Sequence, residues 1–253
     1  MAAAKYAAEV EADVELLRSG GTSLLEPELR LLGGLSGCGR AVHLQCSHGL
    51  DALSLWKLGA REVVGVDVSG AMLELARQKA ERLGAPAAWV RSEVLAVPRE
   101  LDRAADLVYT GKGALPWVSD LARWAEVAAR LLAPGGRLYV FEGHPLNWVW
   151  EPEAARHRLR GDGGDYFQRG PRANRDFPGL ALEDATPPGE PVPRAFEWQW
   201  TLGEIVTAVA DAGLAVERLE EHPEHFWPQL ARIPDDELRR LPHTFSLLAR
   251  RPR

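Results

Sequence analysis

The chain has 253 residues, is 46% hydrophobic and carries a formal net charge of −6. This length suits one α/β domain with an insertion, and the apolar content can supply a full core. The negative charge argues against non-specific binding to nucleic acid, whose phosphates require a basic surface. Cys38 and Cys46 are too few for a disulfide framework, and we expect neither a signal peptide nor a membrane span. The composition therefore predicts a reduced, cytoplasmic protein.

Two short helices are predicted before the first strand. Apolar residues recur near helical spacing between Tyr6 and Arg18, and a second helix extends from Glu26 to Leu32 with Pro27 in its first turn. We predict that residues 1–35 form an N-terminal helical cap.

The first predicted strand ends in a tight turn. The strand and turn are AVHLQCSHG, Ala41 to Gly49; an amphipathic segment follows to Leu58, and REVVGVD then gives a second strand ending in Asp67. Doubly wound folds hold ribose hydroxyls with an acid at this place, about 20 residues beyond the turn. The turn lacks the G-x-G-x-x-G that lets a backbone approach a pyrophosphate. We therefore predict a nucleoside ligand without phosphates.

The alternation of helices and strands continues through the middle of the chain. Ser69 is the predicted N-cap of a helix that ends at Gly84, and the third strand is AAWVRSEVL. The fourth strand, DLVYTG, precedes a helix whose last apolar residue is Leu131. A sharp turn at 134–136 then leads into a fifth strand over 137–142.

Residues 146–200 are rich in proline and have no long periodic segment, which predicts an ordered insertion or lid with short elements. Its aromatic residues, with Trp148, Trp150 and Trp198 as candidates, would either line a substrate pocket or attach the insertion to the domain. Residues 201–253 complete the sheet with a helix, whose capping box is Thr201 and Glu204, and two strands.

The first motif, Asp67 and the segment ARLLAPGGRL together resemble class I S-adenosylmethionine-dependent methyltransferases. They resemble in particular a bacterial subgroup with HLQC in place of D-x-G-x-G-x-G. With the motifs aligned on Gly49, the usual acid falls on His43 and the usual first two glycines fall on Gln45 and Ser47. The resemblance covers residues 36–145 and implies an S-adenosylmethionine-binding core. It also implies a doubly wound, Rossmann-like α/β fold whose seven-stranded sheet has the order 3-2-1-4-5-7-6, with the last strand antiparallel and helices on both faces.

The resemblance further implies S-adenosyl-L-methionine as the cofactor and a small molecule as the methyl acceptor. Tyr6 and Ser23 of the N-terminal segment become candidate cofactor contacts; the alternative is that these helices only pack on the sheet edge. Tyr109 is expected to face the cofactor and the acceptor. The remaining implied contacts are Gln45, Cys46, Ser47, His48 and Gly49 for the methionine part, Asp67 for the ribose, Val68, Met72, Glu93 and Val94 for the adenine, and Thr110 and Gly111 near the sulfonium.

His144 lies just beyond the fifth strand, nearest to the expected methyl position. One hypothesis is that it orients or deprotonates the acceptor; the alternative is that it satisfies carbonyl groups of its loop. We expect no metal site at His43, Cys46 and His48, because residues 43 and 46 point to opposite faces of the strand.

Two other functions remain open at the level of the sequence. One is a methyltransferase-like protein that holds the cofactor without turnover. The other is a nicotinamide-dependent oxidoreductase, which would share the sheet and Asp67 but lacks the glycine motif. The sequence indicates no particular oligomeric state.

Overall fold

The computed structural model describes residues 2–161, 164–174, 195–227 and 230–253. The main sheet has seven strands in the order β3-β2-β1-β4-β5-β9-β8, and β6 and β7 form a separate two-stranded sheet. The strands are β1 (Arg40–Leu44), β2 (Glu62–Asp67), β3 (Ala87–Arg91), β4 (Ala105–Gly111), β5 (Leu132–Gly143), β6 (Pro171–Asn174), β7 (Ala195–Trp198), β8 (Ala215–His222) and β9 (Thr244–Arg250). The α-helices are α1 (Ala2–Arg18), α2 (Glu26–Leu32), α3 (Leu50–Lys57), α4 (Gly70–Leu83), α5 (Leu121–Leu131), α6 (Leu202–Asp211) and α7 (Asp235–Leu238).

The predicted strand order is confirmed. Strands β1 to β5 pair in parallel, and β9 is antiparallel to both of its neighbours, β5 and β8. Because the hairpin of β6 and β7 stands outside the main sheet, β8 and β9 are its sixth and seventh strands in chain order, and β9 lies between β5 and β8 as predicted. The carboxyl ends of the parallel strands therefore meet along one edge, where doubly wound folds bind ligands.

Two helix starts are fixed by the caps predicted from the sequence. The Ser69 hydroxyl accepts a hydrogen bond from the backbone N–H of Met72 at 3.3 Å, which starts α4. At the start of α6 the Thr201 hydroxyl accepts from the N–H of Glu204 at 3.2 Å, and the Glu204 carboxylate accepts from the N–H of Thr201 at 2.9 Å. Each bond satisfies an N–H that has no partner inside the helix.

Side chains alternate between two apolar layers on either side of the sheet. On one face, α5 and α6 pack on a cluster that includes Val108 and the fully buried Trp124. On the other face, α2 and α3 pack on a cluster that contains Tyr109 and Tyr139. Helix α1 covers α3 and α4 through the buried Leu17. Successive residues of β4 therefore point into different layers, and only those at its carboxyl end lie near the edge of the sheet where ligands bind.

The structure changes two predicted boundaries. The sharp turn expected at 134–136 lies within β5, which begins at Leu132 opposite Ala105 and bends at Gly135, where φ is 80°. The third strand ends at Arg91, so that Glu93 and Val94 follow it as part of a loop and a short 3-10 turn.

Part of the predicted insertion, residues 162–163 and 175–194, lies outside the described residues. The described part contains a 3-10 turn, Pro145–Val149, and the β6–β7 hairpin. None of the described helices has both the length and the apolar character needed to cross a membrane.

Candidate functional site

A large cavity lies at the carboxyl edge of the sheet. Its volume is about 1690 Å³, and it is lined by the loops that follow β1, β2, β3, β4 and β5 and by the loop between β8 and β9. Pockets for one small ligand usually measure roughly 300–1,000 Å³. The cavity therefore has room for two small molecules side by side.

The turn after β1 has the backbone shape of a glycine-rich turn without the glycines. Gln45 (φ 57°) and Ser47 (φ 49°) are both in the left-handed region, which side chains make unfavourable. Local bonds hold them there: the Gln45 amide donates to the carbonyl of Ala114 at 2.9 Å, and the N–H of Ser47 donates to Asp67 at 2.8 Å. Gln45, Cys46, Ser47 and His48 all line the cavity.

Asp67 stands at the end of β2 with its carboxylate fixed by backbone groups. One oxygen accepts from the N–H of Ser47 and the other from the N–H of Ser69, both at 2.8 Å. Burial raises the pKa of Asp67, while these two donors lower it. Each oxygen keeps a free lone pair, and the side chain lines the cavity beside Val68, which is 67% exposed although it is apolar.

The other residues expected around an adenine ring also line the cavity. Met72 on α4 and Glu93 and Val94 after β3 form its wall next to Val68. Glu93 is exposed and Val94 is buried, so a polar and an apolar contact are available at the same end.

A charged network that the sequence did not reveal lies at the end of β4. The Lys112 ammonium donates to the carbonyl of Ser23 at 2.8 Å and to Asp51 at 3.0 Å, and it lies 3.3 Å from Glu28. Burial disfavours the ammonium, but Asp51 and Glu28 outweigh this effect and raise the pKa of Lys112. Residues 28, 51 and 112 come from three distant parts of the chain, and no local pattern connects them.

Four predicted site residues do not line the cavity. Tyr109 is fully buried in the layer under α2, where its hydroxyl donates to Glu28 at 2.5 Å. Thr110 is buried and its hydroxyl donates to the carbonyl of Leu44 at 3.4 Å, so that only Gly111 of this strand end reaches the cavity. An added Cβ at Gly49 would lie 2.6 Å from atoms of Ala76 and Trp89, which places Gly49 in a packing position.

Trp198 is the fourth of these residues. In β7 its neighbours Ala195 and Glu197 line the cavity, and alternation along the strand turns Trp198 to the other face. Trp148 and Trp150 do line the cavity. Tyr6 and Ser23 of the N-terminal segment also line it.

His144 lines the cavity, but both of its ring nitrogens are bonded within the protein. Nε2 lies 2.8 Å from the Glu221 carboxylate, and Nδ1 accepts from the N–H of Leu146 at 3.1 Å. Because Nδ1 accepts a hydrogen bond and Nε2 faces a carboxylate, the neutral ring carries its proton on Nε2. Burial lowers the pKa of His144, and the Glu221 carboxylate opposes this. The partners of His144 are thus a loop N–H and a carboxylate, and neither is a carbonyl group of its loop.

His43 occupies the place of the usual acid and lines the cavity. Its ring packs edge-on against Tyr109 at 4.7 Å, and Nδ1 is buried without a hydrogen bond in the described part of the chain. Burial lowers the pKa of His43 to about 4. The pKa of His48 is also about 4, since burial and the neighbouring Lys79 disfavour its charged form. Both rings are therefore neutral at pH 7.

This burial predicts a pH dependence of stability. The unfolded chain takes up a proton at His43 near pH 6.5, but the folded chain does so only near pH 4, so stability falls as the pH decreases through that interval. Between pH 7 and pH 5 we expect His43 to lower the free energy of unfolding by about 2 kcal/mol. In urea unfolding, the free energy of unfolding should fall less steeply with decreasing pH for His43→Gln than for the wild type. His48 and His225 should account for the pH dependence that remains. Equal slopes would contradict the prediction.

The loop after β4 is held by a buried carboxylate. Glu142, which is 3% exposed, accepts hydrogen bonds from the N–H groups of Gly113 at 2.6 Å, Ala114 at 2.8 Å and Leu115 at 3.0 Å. It also accepts from the N–H of Gly143 at 2.8 Å. Burial raises the pKa of Glu142, and the four donors oppose this by stabilising the ionised form.

Aromatic side chains line the cavity on the loops after β4 and β5 and between β8 and β9, whereas Asp67 ends β2 on the other side of β1 in the sheet. Three of them were not predicted from the sequence, because isolated aromatic residues in loops follow no periodic pattern. The aromatic lining comprises Trp117 after β4, Trp148 and Trp150 after β5, and Phe226 and Trp227 between β8 and β9.

Comparisons with known proteins agree with this fold. Residues 41–136 match the family model of a methyltransferase domain. This part of the chain is similar to the methyltransferase domains of the class I S-adenosylmethionine-dependent superfamily. No curated protein matches the sequence.

Solved structures extend the similarity beyond that domain. An S-adenosylmethionine-dependent methyltransferase from Mesorhizobium loti is 25% identical, with a TM-score of 0.65 over 89% of this chain and 96% of that one. The geranyl diphosphate C-methyltransferase of Streptomyces coelicolor, in complex with Mg²⁺, geranyl diphosphate and S-adenosyl-L-homocysteine, is 16% identical, with a TM-score of 0.57 over 89% and 77% of the two chains. The second similarity concerns the fold alone.

Proposed function

We propose that this protein transfers a methyl group from S-adenosylmethionine to a small-molecule acceptor. The observation that carries the proposal is the anchored carboxylate of Asp67, which faces the cavity at the end of β2 beside a left-handed turn. This combination suits a nucleoside whose two ribose hydroxyls donate to one carboxylate.

The residues around Asp67 fit the rest of the cofactor. Val68 and Met72 flank the adenine, and Glu93 accepts its amino group while the N–H of Val94 serves a ring nitrogen. At the other end, the turn over 45–48, Gly111 and the Asp51 carboxylate receive the methionine part. Bound S-adenosylmethionine supplies a methyl group on a sulfonium.

The protein contributes alignment and a water-poor site. Methyl transfer requires the acceptor atom, the methyl group and the sulfur in line, and holding them so removes much of the entropic cost. His144 and Glu142, the ionisable groups nearest to the end of β5, are each fully bonded within the protein. We therefore propose that catalysis works by positioning, with an acceptor that needs no strong base.

The volume of the cavity favours turnover over cofactor binding alone. A cavity of about 1690 Å³ has room for a second ligand next to a nucleoside, and its far end is lined by aromatic rings. A protein that only held the cofactor would not need this space.

The test is isothermal titration with S-adenosylhomocysteine, with NADH titrated as a comparison ligand. We expect the wild type to bind S-adenosylhomocysteine at micromolar concentration and not to bind NADH. Asp67→Ala should weaken binding at least tenfold, because hydrogen bonds to a charged group are worth about 1.5–3 kcal/mol each.

Asp106→Ala is the matched control for this titration. Asp106 also accepts two backbone N–H groups, from Gly39 at 2.7 Å and Arg40 at 3.1 Å, but it lies at the opposite end of β4. Its replacement should lower stability without changing affinity for S-adenosylhomocysteine. Binding of NADH instead, or equal affinity of the wild type and Asp67→Ala, would contradict the proposal.

A further inference from the structure

The end of the cavity beyond the nucleoside site is an aromatic compartment, which we define by Trp117, Trp148, Trp150, Phe226 and Trp227. These residues come from three separate loops that meet over the ends of β4 and β5. Trp227 is 52% exposed and packs over Gly113, where an added Cβ would lie 3.1 Å from its ring. A large ring left this exposed next to other rings is typical of a ligand wall.

The charges around the cavity are mainly negative. Among the described lining residues the carboxylates are Asp51, Asp67, Glu93, Glu142, Glu153 and Glu197, and the cations are Lys112, Arg160 and Arg232. His43 and His48 add no charge at pH 7, because the pKa of each is about 4. The field inside the cavity therefore disfavours anions.

The lining cations already have partners. Lys112 is bound to Asp51 at 3.0 Å, and Arg232 donates to the backbone carbonyl of Glu153 at 3.3 Å and lies 3.8 Å from its carboxylate. Arg160 also has an interaction partner. A phosphate or carboxylate entering the cavity would thus meet more carboxylates than cations among the described lining residues, and each of these cations already has an interaction partner.

We propose that the aromatic compartment binds a flat aromatic acceptor that is uncharged or cationic. This inference rests on the proposed function and names the substrate class of the same site. The tryptophan faces stack on a flat ring and attract a cation, whereas the carboxylates repel an anion.

Four naphthalene derivatives that share one ring system and differ in charge test the inference. They are 2-naphthylmethylamine, 2-naphthol, 2-naphthoate and 2-naphthyl phosphate, each titrated calorimetrically into the wild type saturated with S-adenosylhomocysteine. We expect the amine and the naphthol to bind at least tenfold more tightly than the naphthoate and the phosphate. Raising the salt concentration should reduce this difference in affinity, because salt screens the repulsion between the anionic probes and the carboxylates of the cavity.

Two variants identify the surface that binds the probes. Trp148→Ala should weaken the binding of the amine and the naphthol at least tenfold while affinity for S-adenosylhomocysteine stays unchanged. The control is Phe167→Ala, which removes an aromatic ring that is 66% exposed and does not line the cavity. Phe167→Ala should change neither the affinity for the amine and the naphthol nor the affinity for S-adenosylhomocysteine.

The outcomes separate this inference from the proposed function. Failure of S-adenosylhomocysteine to bind would overturn the proposed function itself. If it binds normally, the inference alone is overturned by anions that bind as tightly as the amine and the naphthol, by the absence of binding of the latter two at millimolar concentration, or by equal affinities in Trp148→Ala.

Discussion

Replacing Glu142 by alanine should lower the free energy of unfolding by about 3–5 kcal/mol. The carboxylate accepts four backbone N–H groups, and those of Ala114 and Leu115 belong to buried residues. Each buried donor left without a partner costs about 1–3 kcal/mol, and water entering from the cavity can compensate only part of this. The measurement is urea unfolding at pH 7, followed by circular dichroism.

The same substitution should weaken cofactor binding. The loop that Glu142 holds contains Gly113 and Ala114 of the cavity wall, and Ala114 in turn accepts the amide of Gln45. The control is Glu126→Ala, which removes a glutamate that is 60% exposed and paired with the neighbouring Arg123 on α5. We expect it to change stability by less than about 0.5 kcal/mol. A loss below 1 kcal/mol for Glu142→Ala would show that the loop is held by other contacts.

Local patterns were sufficient to locate the parallel strands and the acid at the end of β2, whereas the strand order was predicted from the resemblance to class I methyltransferases. Caps such as Ser69 and Thr201 involve residues three positions apart, and apolar periodicity marks each helix. The turn at 45–49 was also located correctly. That Gln45 and Ser47 adopt left-handed backbone angles could not be predicted, since the bonds that hold them come from Ala114 and Asp67.

The remaining parts of the site depend on long-range geometry. Alternation along β4 predicts that Tyr109 and Thr110 point to opposite faces of the sheet. It does not predict which residue at the end of the strand lines the cavity. The structure gives that place to Gly111. The aromatic compartment combines Trp117 with Trp227, which are far apart in the sequence, so only the folded chain brings them together.

The second large effect is expected for Lys112→Met. Lys112 is the cation that compensates Asp51 and Glu28 at 3.0 and 3.3 Å. Burial alone would raise the pKa of Asp51, but Lys112, together with His43 and the Ser23 hydroxyl, outweighs burial and lowers it. Without the ammonium, two carboxylates remain in a poorly solvated site, and breaking such a pair costs about 3–5 kcal/mol. Urea unfolding at pH 7 measures the loss.

A pH series distinguishes this electrostatic cause from simple loss of packing. In Lys112→Met the pKa of both carboxyl groups should lie above the unfolded value, so the folded state binds more protons than the unfolded state. Stability of the variant then recovers as the pH falls toward the unfolded pKa, and its deficit relative to the wild type should be smaller at pH 5 than at pH 7. A deficit independent of pH would show that the lost contacts are apolar.

Two further variants complete the test. Lys57→Met replaces an exposed lysine at the end of α3 and should leave stability within about 0.5 kcal/mol of the wild type. The double variant Lys112→Met with Glu28→Gln removes one carboxylate together with the cation, and it should be more stable than Lys112→Met alone. Because Glu28 also accepts the Tyr109 hydroxyl, recovery will be partial. If the double variant is less stable than Lys112→Met, Glu28 acts mainly as the acceptor for Tyr109 and Leu25 and not as the partner of Lys112.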